Sequence, residues 1–238
     1  MILETGFGGI KIKYLEKDSQ AAKEIKGLLA ELMPIVERWG RLISPTEIII
    51  TGDHGALEEA TGRYGYPWLR AWTRFDVIYL QSPSTWLERD VKGALSELLT
   101  HELTHLAMYQ NIGGKDNWAD IFLPLWYREG MASVNAKQGY RRLTVEEIRA
   151  RLEEKPSLKP LAEGDDIFRE EKDLAYSTGH RAFEYLIERY GEKWIPRLHS
   201  LIKEKGYTFD AAFYEALGIT HGEFIKLFEE SIIYGRRS

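Results

Sequence analysis

Cysteine is absent from this 238-residue chain. That lack excludes disulfide scaffolds, thiolate metal sites and cysteine nucleophiles together, and it fits a reducing compartment. No apolar run reaches the roughly 20 residues needed to cross a bilayer. The opening stretch MILETGFGGIKIKY lacks the charged-then-apolar layout of a secretory signal. Long blocks of one charge are missing too. The 37 acidic and 32 basic residues are mixed throughout, for a formal net charge of −5, so no basic stripe is offered to a phosphate backbone. Repeats and low-complexity segments are also lacking. These absences lead to the expectation of a cytoplasmic protein whose partner is neither membrane nor nucleic acid.

What is present reads as an α+β chain long enough for one large domain. Its first part, 1–110, is expected to be mixed α/β, and 111–238 mainly helical. GIKIKYL, from Gly9, alternates apolar and polar residues as a half-buried strand does. Ile25, Leu28, Leu29, Leu32, Val36 and Trp39 recur at helical spacing, with Pro34 expected to kink that helix. EIIIT, Glu47 to Thr51, reads as a strand, the glycine-rich Gly52 to Pro67 as a loop, and Asp76 to Gln81 as the clearest later strand. From Thr85 strands all but vanish. Helices are expected over Arg89–Gln110, Leu125–Gln138, from Thr144 onward, and over Asp173–Tyr190, Trp194–Lys205, Thr208–Leu217 and Thr220–Tyr234. Thr144 with Glu147, and Thr220 with Glu223, carry capping-box spacing. Lys155 to Lys172, with two prolines, a glycine and many charges, is the natural lid or loop.

The chemistry concentrates in LSELLTHELTHLAMY. Residues four apart on an α-helix are rotated by about 40° and separated by about 6 Å along the axis. His101 and His105 therefore share a face and can bind one zinc ion at about 2.0–2.1 Å. Glu102 lies about 100° further round, outside that coordination sphere but able to take a proton from a water at the metal. Leu98, Leu99, Leu103, Leu106 and Ala107 surround the motif, which marks a buried helix. Burying two histidines and a glutamate requires strong partners, and a dication is one. The bland alternative is a helix that carries HExxH by chance.

A catalytic zinc usually takes three protein ligands and one exchangeable water. The extended pattern HExxHxxGxxH is excluded, because Met108 and Asn111 occupy its glycine and last histidine positions. An acidic residue from a following helix remains. LPLWYREGMASVNA supplies Glu129, 24 residues after His105 and next to the small residues Gly130, Ala132 and Ser133. Asp116 and Asp120 compete from a polar stretch that reads as loop.

HELTH, then LPLWYREGMAS, then AYSTGHRAFEYLIERYG together resemble the peptidase MA-like gluzincins, zinc peptidases that hold the metal by HExxH and a distal glutamate. The resemblance runs from about Asp76 to Ile232. It implies a single zincin-like catalytic domain, with a small mixed or antiparallel sheet before a helical C-terminal part. It implies zinc metallopeptidase activity on a peptide or protein substrate, His101, His105 and Glu129 as ligands, and Glu102 as general base. Gluzincins commonly place a tyrosine or histidine against the developing oxyanion. Tyr176 and His180, four apart on one expected helix, fit that role, Tyr176 the better through its AY pair. Core packing is the alternative for Tyr176, capping or solvent exposure for His180. In zincins an edge strand ahead of the metal helix pairs with extended substrate. Asp76 to Gln81 is either such a strand or an interior one. Ser133 and Asn135 are both open as partners of the ligand histidines. His199 and His221 are expected in packing or at the surface. The competing functions are a silent or latent zinc-binding or peptide-binding module, and a non-peptidase metallohydrolase.

Overall fold

The computed structural model describes residues 1–87, 89–161 and 165–234. It is α+β, with a five-stranded sheet in the N-terminal part and helices dominating the C-terminal part. Two compact units divide the chain, 1–118 and 119–238.

The first unit opens with a hairpin that the sequence reading began too late. β1 (Ile2–Phe7) pairs antiparallel with β2 (Ile10–Leu15) through Gly8 and Gly9, at φ 53° and 86°. Two successive positive φ values form the tight turn whose twist matches a hairpin. α1 (Ser19–Val36) follows, and Pro34 falls in its last turn, so the helix stops two residues later. β3 (Thr46–Thr51) runs parallel to β2. The stretch expected as loop contains α2 (His54–Thr61), capped by the Asp53 carboxylate at its start and by Gly62, φ 71°, at its end. Caps at both ends sustain a short helix that composition disguises.

β4 (Ala71–Thr73) and β5 (Val77–Gln81) complete the sheet in the order β1-β2-β3-β5-β4. β5 is parallel to β3 and antiparallel to β4. The strand at Asp76–Gln81 is thus interior, and the edge on that side is β4. Ile10, Ile12, Ile48, Ile50, Ile78 and Leu80 alternate inward and share one core with Ile25, Leu29 and Leu32 of α1. Leu95, Leu99, Leu103 and Leu106 of α3 (Val91–Ile112) join it. Asp90 starts α3 by accepting the Gly93 N–H at 2.9 Å. Gln110, fully buried, accepts from the Ile43 and Ser44 amides at 2.8 and 2.9 Å and donates to the Phe75 carbonyl at 3.1 Å. α3 is therefore fixed against both loops that frame the sheet.

In the second unit α4 (Leu125–Asn135) packs closely on α7 (Lys172–Tyr190). A Cβ added at Gly130 would fall against the Gly179 carbonyl oxygen and 2.9 Å from Phe183 Cβ. Only glycine lets the two backbones meet there. α5 (Val145–Glu154) begins with the expected capping box, and Thr220 and Glu223 form the same reciprocal bonds at the start of α10 (His221–Tyr234). Part of the Lys155–Lys172 segment is α6 (Asp165–Glu170), whose Ile167 packs with Leu125, Leu158 and Ala175. Residues 162–164 of that segment lie outside the described residues. Its two ends are joined by Lys155 and Arg151, both paired with the buried Glu171 carboxylate.

α8 (Trp194–Lys205) and α9 (Phe209–Leu217) close an aromatic core of Tyr127, Phe183, Trp194, Phe209, Phe213 and Phe224. His199 is buried there against the Tyr127 hydroxyl at 2.8 Å. His221 accepts from Trp126 Nε1 at 3.1 Å and contacts Asp210 at 3.0 Å. Among the described residues no helix is long and apolar enough to cross a membrane.

Candidate metal centre

Leu99, Leu103 and Leu106 hold α3 on the sheet. His101 is two residues beyond Leu99, so it projects about 200° away from that contact. His105 follows one turn later. Both are 6% exposed. Their Nε2 atoms lie 3.1 Å apart, with the rings at 79° to each other. Tyr109, one turn further, stacks near-parallel on His105 at 6.1 Å and meets Trp118 at 4.7 Å.

Glu102 turns from the histidine face toward the sheet edge. Thr73 Oγ1 of β4 donates to Glu102 Oε2 at 2.6 Å, with the Glu102 main-chain oxygen 3.3 Å away. The contact spans 29 positions, and nothing in AWT announced it. A buried hydroxyl aimed at a carboxylate fixes its rotamer.

Glu129 sits in α4, 8% exposed, beside the Gly130 contact with α7. One ligand atom from each of His101, His105 and Glu129 can be chosen so that all lie within 4.8 Å of one another. Among the described residues no other set of three or more His, Asp or Glu meets that test. Two nitrogens and one carboxylate oxygen are a donor set that zinc accepts. Ligands around one tetrahedral ion stand about 3.4 Å apart. The imidazole pair, with Nε2 atoms 3.1 Å apart, is close to that spacing. The residues therefore fit the ion. Asp116 and Asp120 belong to no such set.

Tyr176 and His180 lie on α7. The Arg142 guanidinium is 5.0 Å from the centre of the half-buried Tyr176 ring. Arg142 also donates to Ser133 Oγ at 3.1 Å and to Gln138 Oε1 at 2.7 Å. Ser133 meets His180 Nδ1 at 2.9 Å, and His180 Nε2 faces Glu184 Oε1 at 3.2 Å. Ser133 Oγ thus bridges the Arg142 guanidinium and the His180 imidazole. That imidazole holds the Glu184 carboxyl below the ordinary range, against its partial burial, with Arg181 adding to the effect. Of the two residues considered as partners of the ligand histidines, Ser133 serves His180 and Arg142. Asn135 is buried. Sequence reasoning missed Thr73 and Arg142.

No protein-family model and no curated protein matches the chain. Solved structures do. The crystal structure of the M1 zinc metallopeptidase from Deinococcus radiodurans superposes with a TM-score of 0.52 at 15% identity, over 97% of this chain and 51% of its own. The fold is one that zinc metallopeptidases use. Native yeast LTA4 hydrolase shares it, with a TM-score of 0.52 at 11% identity, over 98% of this chain and 39% of its own. The chain thus spans about half the length of the first protein and two-fifths of the second.

Proposed function

We propose that the protein is a zinc-dependent peptidase of gluzincin type, with His101, His105 and Glu129 as metal ligands and Glu102 as general base. One observation carries the reading: three buried side chains of zinc-ligand type, from a helix built on HExxH and from a later helix, bring their donor atoms within 4.8 Å. The likeness to a zinc metallopeptidase fold supports it.

A divalent ion at this site would supply Lewis acidity and make water a nucleophile near neutral pH. Glu102 accepts the proton of the attacking water as its oxygen bonds to the scissile carbonyl carbon. Thr73 donates to Oε2 and holds the carboxylate in place for that transfer. Glu102 then delivers it to the amine nitrogen as the C–N bond breaks, leaving a carboxylate and a free amine. Tyr176 donates to the carbonyl oxygen as charge builds there. His180, enclosed by Ser133 and Glu184, acts through Ser133 and Arg142 to hold Tyr176.

Metal analysis of the purified protein, with a casein digest run with and without a chelator, tests the reading. Bound zinc and chelator-sensitive cleavage are expected. Glu102→Gln keeps the metal and abolishes cleavage. Undiminished hydrolysis by that variant, or by metal-stripped protein, would refute the assignment.

A further inference from the structure

The ligand face of α3 runs on beyond the two histidines to an aromatic ring. Positions 101, 105 and 109 are four apart, each step rotating by about 40°, so Tyr109 stays on the imidazole side of the helix. Its ring lies 6.1 Å from that of His105 and within 13° of parallel to it. Tyr109 is 9% exposed against 6% for each histidine, so its side chain is as accessible as the two imidazoles. Among the described residues, neither Tyr109 nor its ring partner Trp118 belongs to the core that holds α3 on the sheet, and the hydrolytic steps use neither.

The chain after α3 folds back to set Trp118 on that ring. Asn117 Oδ1 accepts from the Gly114 N–H at 2.7 Å, and the Trp118 N–H donates to the Gly114 carbonyl at 3.0 Å. Lys115 ties the same turn to Asp76 at 2.6 Å. Trp118 is half-buried, while the other residues of 114–120 are exposed. Its ring centre stands 4.7 Å from that of Tyr109, at 41°. Rings with few rotatable bonds, braced on each other, give up little entropy when a further apolar group packs on them. The Cα atoms flanking a scissile bond are about 3.8 Å apart, and one helical turn is about 5.4 Å. A side chain next to a carbonyl held at His101 and His105 therefore reaches the aromatic pair. Asp116 and Asp120, exposed on the same loop, repel acidic side chains there.

We propose that Tyr109 and Trp118 form the wall of the subsite beside the metal ligands, and that the protein cuts peptides next to phenylalanine, tyrosine, tryptophan or leucine. The inference rests on the peptidase reading and names the substrate class of that same site.

Zinc-loaded wild type digests a mixture of unstructured peptides of diverse sequence, cleavage positions are read by mass spectrometry, and Glu102→Gln protein serves as the blank. Phenylalanine, tyrosine, tryptophan and leucine are expected about tenfold or more above alanine at one of the two positions flanking the cut, with aspartate and glutamate depleted there. Trp118→Ala should keep its zinc and flatten that preference. Trp118→Glu, a carboxylate at a half-buried site, should turn the preference at the same position toward lysine and arginine, a change that loosening of the fold does not produce. It also stands in if the alanine variant does not fold. Cleavage with no apolar enrichment at either position overturns the proposal and leaves the peptidase reading standing. So does wild-type enrichment of lysine or arginine, or an apolar preference unchanged in the folded variants. Failure to cut any peptide while zinc is bound defeats the peptidase reading, and this inference falls with it.

Discussion

The Tyr127–His199 pair makes acid stability calculable. Both side chains are completely enclosed by the aromatic core, and burial is the cause that moves each. It pushes the Tyr127 phenol well above its ordinary range and the His199 imidazole from 6.5 down to about 3. His199 is thus neutral when folded and protonates near 6.5 when unfolded. Between those values the unfolded chain holds one more proton than the native one. Stability contributed by the neutral imidazole is complete above pH 6.5, falls as pH drops, and is gone below about 3. At 1.36 kcal/mol per pH unit the gap amounts to about 5 kcal/mol, comparable to the whole stability of many domains. His199→Gln removes the titration while leaving an amide to meet the Tyr127 hydroxyl. Urea melts followed by circular dichroism from pH 4 to 8, with chelator present in both proteins so that metal loss cancels, give the difference between wild type and variant. That difference should fall by about 1.4 kcal/mol for each pH unit below 6.5. A difference that stays flat from pH 8 to pH 4 would refute the claim that His199 is buried neutral.

Gly130→Ala should force α4 from α7 and cost about 1–3 kcal/mol, read as a lower melting temperature, and should weaken zinc retention because Glu129 is the adjacent residue. Thr73→Val removes the hydroxyl from Glu102 while preserving shape. A lost hydrogen bond to a charged group predicts a fall in kcat of about tenfold or more, with zinc content unchanged. Adding zinc at about 100 times its Kd should stabilise the protein by about 2.7 kcal/mol, seen as a rise in Tm that EDTA reverses and His105→Ala abolishes.

Much of the architecture was legible because it depends on short-range periodicity. The four-residue spacing of His101 and His105 places them on one face whenever that segment is helical, and Leu99, Leu103 and Leu106 make it both helical and buried. The capping boxes at Thr144 and Thr220 set their helix starts for the same local reason. Gly8–Gly9 also announced its hairpin, and reading the strand from Gly9 onward overlooked it. α2 was hidden by glycine-rich composition, although Asp53 and Gly62 bracket it. Glu129 was singled out as a ligand from the small residues beside it.

By itself, then, the sequence determined the helix that carries HELTH, the α+β character and the absence of thiol chemistry, since these follow from composition and from contacts a few residues apart. Tertiary structure alone decided that β5 is interior and β4 the edge, that Thr73 meets Glu102 across 29 positions, and that Arg142 lies over Tyr176. Strand order and side-chain partnership between distant segments are set by how whole elements pack, and no local pattern encodes which of many compatible neighbours the fold will choose.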